Sequence, residues 1–135
     1  MTGIEFVNKL ITATAISGDI VPAGKLLADI PKESHITRKQ TAIIVHAFLK
    51  TVLKETDEKD TKKAQRLKDL YDCRICVKHI EQVYVKGIMM PFINEETAKE
   101  NSLPILFGGN EPLTEDEADQ IVNRTIHKQM RISVS

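Results

Sequence analysis

Arg38 stands where a helix ordinarily refuses a cation. In Ile36-Thr37-Arg38-Lys39-Gln40 a threonine N-cap precedes a glutamine by three places. The hydroxyl can then accept from the Gln40 amide while the Gln40 side chain returns to the Thr37 N–H. Arg38 falls at the first helical position, where the macrodipole is positive and unpaired amides point outward. A local rule broken in this way hints at a site. The chemistry on offer is anion recognition, since a guanidinium beside helix-start amides binds a carboxylate through several charge-assisted bonds. The candidate binding residues are Thr37, Arg38 and Gln40, with His35 as a second donor just upstream. The competing reading is a surface ion pair between Arg38 and Asp29, Glu33 or another nearby acid, worth only about 0–1 kcal/mol.

Other reactive side chains carry weaker signals. Cys73 and Cys76 form a Cys-x-x-Cys pair with His79 three residues on, which suggests a metal or redox site. The chain has only these two cysteines, and no βαβ pattern flanks them. Cys76 also continues an apolar helical series with Ile80, Val83 and Tyr84, and the expectation is a buried thiol acting as a small hydrophobe. His46 and His127 read as helix-surface or core-edge residues with no nucleophile motif beside them. Glu95, Glu96 and the acids at 115–117 sit where helix starts favour acids. No catalytic set, metal set or cofactor is expected.

Helical periodicity supplies the elements that must hold these groups. Behind the Thr37 cap, Ala42, Ile43, Val45 and Phe48 on one side and Ile44, Ala47 and Val52 on the other give a wide apolar face for a helix running to about Leu53. Leu113-Thr114-Glu115-Asp116-Glu117 repeats the start signal before Ala118, Ile121, Val122 and Ile126, this time with an acidic first turn. A first helix is expected over Ile4–Ile16 with Gly18 as its stop, and a third over Asp72–Lys86 with Gly87 as its stop. Short helical turns are expected at Lys25–Ala28 and after Asn94. Residues 55–66 read as a charged, solvated connector with Glu55–Lys59 and Glu58–Lys62 at helix-pair spacing. Residues 131–135 read as a frayed tail.

The halves share a register. Phe6, Ile11 and Gly18 correspond to Ile75, Ile80 and Gly87 at one offset, and Ile30, Ile36 and Thr37 to Phe107, Leu113 and Thr114 at a larger one. A longer second loop accounts for the difference, because loops absorb insertions cheaply. The expected organisation is a first repeat over 1–54, the connector 55–66, a second repeat over 67–130 and the tail. The fold class is all-α, with four main helices in two helix–loop–helix units packed as one compact domain.

With 19 basic and 19 acidic residues in 135, the chain lacks the electrostatic footprint of a nucleic-acid binder. No apolar run approaches the roughly 20 residues that span a bilayer. Met1 to Asp19 is amphipathic and does not read as a secretory signal. A leader removed upstream would place the protein at the cell surface or outside the cell, and a native start at Met1 would place it in the cytoplasm.

These motifs resemble the S-layer homology domains of bacterial cell-surface proteins. Leu67-Lys68-Asp69-Leu70 looks like the family's Phe-x-Asp-Val opening, Ile80 to Ile88 like its helix ending in Gly-Ile, and Phe107 to Thr114 like its Phe-x-Pro-Asn-x-Pro-Ile-Thr-Arg stretch. Ile36-Thr37-Arg38 matches its Ile-Thr-Arg motif. The resemblance implies non-catalytic anchoring to acidic secondary cell-wall polysaccharide, with the motif arginine holding the sugar. Glu115 takes the arginine's place in the second copy, and Phe6 and Ile75 stand at the family's tryptophan position. Members often carry three repeats about a pseudo-threefold axis, whereas two are read here. The alternative expectation is a degenerate module for protein interaction or self-assembly, with a second copy or another repeat-bearing chain as partner.

Overall fold

Three helices of this all-α chain open with one local device. In the computed structural model, which describes residues 1–14, 23–27, 29–31 and 33–133, the helices are α1 (Gly3–Thr14), α2 (Ala23–Leu27), α3 (Arg38–Thr51), α4 (Val77–Val85), α5 (Glu95–Asn101) and α6 (Glu115–Ile126). Thr37 and Gln40 form the reciprocal cap of α3, and the Thr114 hydroxyl accepts from Glu117 N at the start of α6. Thr2 and Glu5 do the same for α1: Thr2 N donates to Glu5 Oε1 at 3.0 Å and Glu5 N to the Thr2 hydroxyl at 3.2 Å.

The residues before these caps are laced together. Ile36 N donates to Met1 O and Leu113 N to Ile36 O, so Met1, Ile36 and Leu113 occupy successive, equivalent places. Likewise Gly3 N donates to Ser34 O and Arg38 N to Glu111 O. α1 is therefore the counterpart of α3 and α6, which corrects the register that paired it with the helix after Cys76. Burial agrees, because Phe6 is fully buried while Ile75 is 80% exposed. Equivalent side chains do not face core and water.

α3 packs on α4, and α1 packs on both α2 and α6. One apolar core runs through all of them, joining Phe6, Leu10, Phe48, Leu70, Val83 and Ile121. The helix expected over Asp72–Lys86 is broken at its start. Leu70–Asp72 and Arg74–Cys76 are 3-10 turns separated by extended Cys73, and the α-helix begins only at Val77. Gly87 ends it with φ +75°, and a β-carbon there would collide with the Ile132 backbone. Gly18 and the expected end of the first helix lie outside the described residues. The Asn94 cap forms as expected, its side chain accepting from Thr97 N at 2.8 Å.

The charged stretch is docked, which corrects its reading as a solvated connector. Instead of pairing with Lys59, Glu55 accepts from Lys86 Nζ at 2.7 Å and from both terminal nitrogens of Arg131 at 2.9 Å. Its side chain is only 9% exposed. Glu58 N donates to the Gln82 side chain, which returns a bond to Glu58 O. Arg131 is also drawn in, donating to Arg124 O and Thr125 O, and Ile132 N donates to Gly87 O. Residues 131–133 are thus held against the fold rather than frayed. Burial works against the Glu55 carboxylate, but its bonds to Arg131 and Lys86 outweigh it and hold the pKa at about 2.

Removing Glu55 strands the Lys86 ammonium, whose side chain is 3% exposed, with only the Thr56 carbonyl as partner. Glu55→Ala is expected to cost about 3–5 kcal/mol in urea unfolding, the usual penalty for breaking a buried pair. Glu55→Gln, which keeps the shape and an acceptor, should lose clearly less.

Candidate functional site

The start of α3 is closed. Thr37 N donates to Gln40 Oε1 at 2.9 Å and Gln40 N to the Thr37 hydroxyl at 3.4 Å. The two amides between them turn to the other half of the chain, Arg38 N to Glu111 O at 2.9 Å and Lys39 N to Gly109 O at 3.0 Å. All four helix-start donors are satisfied by protein. None is left to receive an anion.

The guanidinium is withdrawn as well. Arg38 is 1% exposed. Its Nε donates to Phe107 O at 2.9 Å, one terminal nitrogen donates to the Glu117 carboxylate and the other to Met90 O, while the group lies 5.0 Å from the centroid of the Phe107 ring. Burial pulls its pKa from 12.5 to about 10, against the nearby negative charges of Asp69 and Glu111, so it stays charged at neutral pH. This corrects the expectation of a cation offered to acidic sugar: Arg38 is an internal tie. Its carboxylate partner is Glu117, from the second start signal, and neither Asp29 nor Glu33. Of the other expected binding residues, Thr37 and Gln40 are spent on the cap. His35 is exposed, with Nδ1 3.0 Å from the Met1 amino group, and does not meet Arg38.

A concave space lies beside this closed helix start. A cavity of about 200 Å³ is walled by Lys39, Asp72, Asn110 and Glu111, with half-buried Cys73, Gly108 and Gly109 at its floor and Phe107 and Ile80 buried behind them. The Phe107–Gly108 turn is fixed from below, because Asp69 accepts from Phe107 N at 2.8 Å and from Gly108 N at 2.9 Å. Gly108 takes φ +74°, a conformation glycine adopts without penalty. Lys39 Nζ reaches across to Asn110 Oδ1 at 2.7 Å. Asp69 thus sets the turn whose carbonyls cap α3 and whose Phe107 oxygen receives Arg38.

Two pairings lie outside the sequence expectations. His46 is buried between α3 and α4, with Nδ1 2.8 Å from His79 Nδ1 and Nε2 2.8 Å from Asp57 Oδ1. Asp57 also faces Lys50 at 3.4 Å. The signal was the position of His46 on the apolar face of its helix, which only a partner across the core could explain. An Asp–His pair is half of a proton relay, but here the third group is a second imidazole. The other surprise is that Cys73 and Cys76 are joined as a disulfide, which corrects the expectation of an inert thiol.

Arg38→Ala is expected to destabilise the fold by about 3–5 kcal/mol in denaturant, because buried acceptors and Glu117 lose their donor together. Arg38→Lys should recover little of that, since an ammonium cannot reach three divergent acceptors. The histidine pair predicts a separate pH effect. Burial, with His46 and Lys50 adding to it and Asp57 opposing, lowers the pKa of His79. Its folded value lies below its unfolded one, so its contribution to stability is whole above about pH 6.5 and drains away as pH falls through that value. Melting temperature followed from about pH 8 to about pH 5 should therefore fall, and His79→Gln should flatten the decline. Asp57 works in a lower window. Burial raises its pKa, but the bonds and charges of His46 and Lys50 together outweigh that and leave it below 3.8.

No protein family, curated protein or solved structure matches this chain.

Proposed function

We propose that the protein is a non-catalytic binding module for surface anchoring, of the kind its motifs resemble, and that its ligand is a neutral, hydroxyl-rich polysaccharide held in the cavity beside α3. The observation that carries this is the cavity's lining. Lys39, Asn110, Asp72 and Glu111 present donors and acceptors around a less polar floor formed by Cys73 and the Gly108–Gly109 turn, beneath which Phe107 and Ile80 are buried. A sugar ring has the same two-sided character, apolar on its C–H face and polar at its hydroxyls. The charge balance argues against the acidic sugar implied by the resemblance. Asp72 and Glu111 oppose a carboxylate, Lys39 is the one cation among the lining residues, and Arg38 is occupied.

A second reading keeps the fold and replaces the sugar with a protein partner or a second copy of this chain. It draws on Tyr71 and Ile75, 59% and 80% exposed on adjoining turns, because exposed apolar side chains that cluster mark association surfaces. Light scattering separates the two, since self-association sensitive to Ile75→Ser favours assembly.

The sugar reading is tested by retention on immobilised neutral and acidic wall polysaccharides. Lys39→Ala and Asn110→Ala should each weaken retention on the neutral polymer about tenfold, as loss of one good polar contact does. Glu100→Ala, remote on α5, should leave it unchanged. Equal retention of the rim variants and the wild type rejects the cavity, and stronger binding to the acidic polymer reverses the ligand class.

A further inference from the structure

The Cys73–Cys76 disulfide closes a loop with a sequence separation of 3. So short a loop removes little entropy from the unfolded chain, and the bond therefore adds little as a staple. Its placement is another matter. Cys73 is partly exposed and lines the cavity, whereas Cys76 is 1% exposed and immediately precedes the nine-residue helix α4 without a side-chain capping bond. The two residues of the bridge are thus unequal: Cys73 borders the solvent-connected space, and Cys76 lies in the core at the positive end of a helix.

We propose that this disulfide is a thiol–disulfide exchange site, attacked at Cys73 through the cavity by low-molecular-weight thiols that are neutral or cationic. An incoming thiolate bonds to Cys73 Sγ, the S–S bond breaks, and Cys76 Sγ leaves with the electron pair and takes up a proton. A second thiolate then attacks the external sulfur of the mixed disulfide, releasing the thiol's own disulfide and leaving Cys73 as thiolate to be protonated. Two external thiols are oxidised and one protein disulfide is reduced. The asymmetry sets the direction of attack, because exchange needs access to one sulfur and a leaving group that tolerates charge at the other. Burial disfavours charge at Cys76, and the helix end offsets part of that cost until the leaving sulfur is protonated. Asp69, Asp72 and Glu111 in the lining select against anionic thiols.

The folded wild-type protein is treated with 2-mercaptoethanol, cysteamine or glutathione at matched thiolate concentration, quenched by alkylation, and mapped by mass spectrometry. Mixed disulfide should appear on Cys73, with severalfold faster reaction for the first two reagents than for glutathione, while circular dichroism stays native. Cys76→Ser should accept cystamine on Cys73 rapidly, with release of cysteamine, and Cys73→Ser should leave Cys76 almost unlabelled. Reaction only at denaturant concentrations that unfold the protein, or labelling of Cys76 as fast as Cys73, would overturn the site. Equal rates for all three thiols would overturn the charge selectivity. The wild-type arm reads the same quantities if either variant folds poorly.

Discussion

A guanidinium buried to 1% exposure is tolerable only if each of its nitrogens meets an acceptor, since desolvation of an ion costs several kcal/mol before any bond is made. Arg38 meets that condition with groups from three separate places: the Phe107 carbonyl, the Met90 carbonyl and the Glu117 carboxylate. None belongs to its own half of the chain. The first half therefore cannot bury its arginine until the turn at Phe107, the loop after α4 that contains Met90 and the first turn of α6 are all in position. This makes one cooperative unit from what reads in sequence as two repeats and a linker. Asp69 extends the same dependence, because the turn it fixes supplies both the Phe107 oxygen and the carbonyls that cap α3.

What sequence could reveal followed from how local each interaction is. Both capped helices and the Asn94 cap depend on side chains three residues apart, and the chain displays those spacings openly. The same signal stands at Thr2 and Glu5, but the apolar periodicity begins at Ile4 and masks the cap of α1. Gly3 at the first helical position concealed the kinship further. Its equivalent in α3 is Arg38, while a β-carbon at Gly3 would press 2.8 Å from Leu27. One backbone position thus carries glycine in one copy and a long cation in another because the neighbours differ, a fact of tertiary packing that no single sequence exposes.

Charge pattern misled for a similar reason. A run rich in Glu, Asp, Lys and Thr normally stays in water, and alternating signs suggest pairing within the run. Here the partners lie far along the chain. Glu55 finds Lys86 and Arg131, and Asp57 finds His46. Sequence spacing measures only contacts made within a helix, so it offered Lys59 to Glu55 and could not weigh a buried ammonium more than thirty residues away. Arg38 erred in the opposite sense. Its unfavourable dipole position suggests an external anion, whereas the groups that compensate it lie inside the protein.

Closing the start of α3 also changes where a ligand could be recognised. Once the helix amides and the guanidinium are consumed, the positive field that would attract an anion is internally neutralised, and the adjoining surface is governed by Asp72, Glu111 and one lysine. An interior tie and an anion site cannot share the same donors. The cavity inherits the geometry of the tie, since Phe107, Gly108 and the turn to Glu111 form its wall, while it loses the charge. That trade favours ligands recognised by shape and neutral hydrogen bonds, and it leaves Cys73 beside a space whose charge favours neutral or cationic visitors over anionic ones.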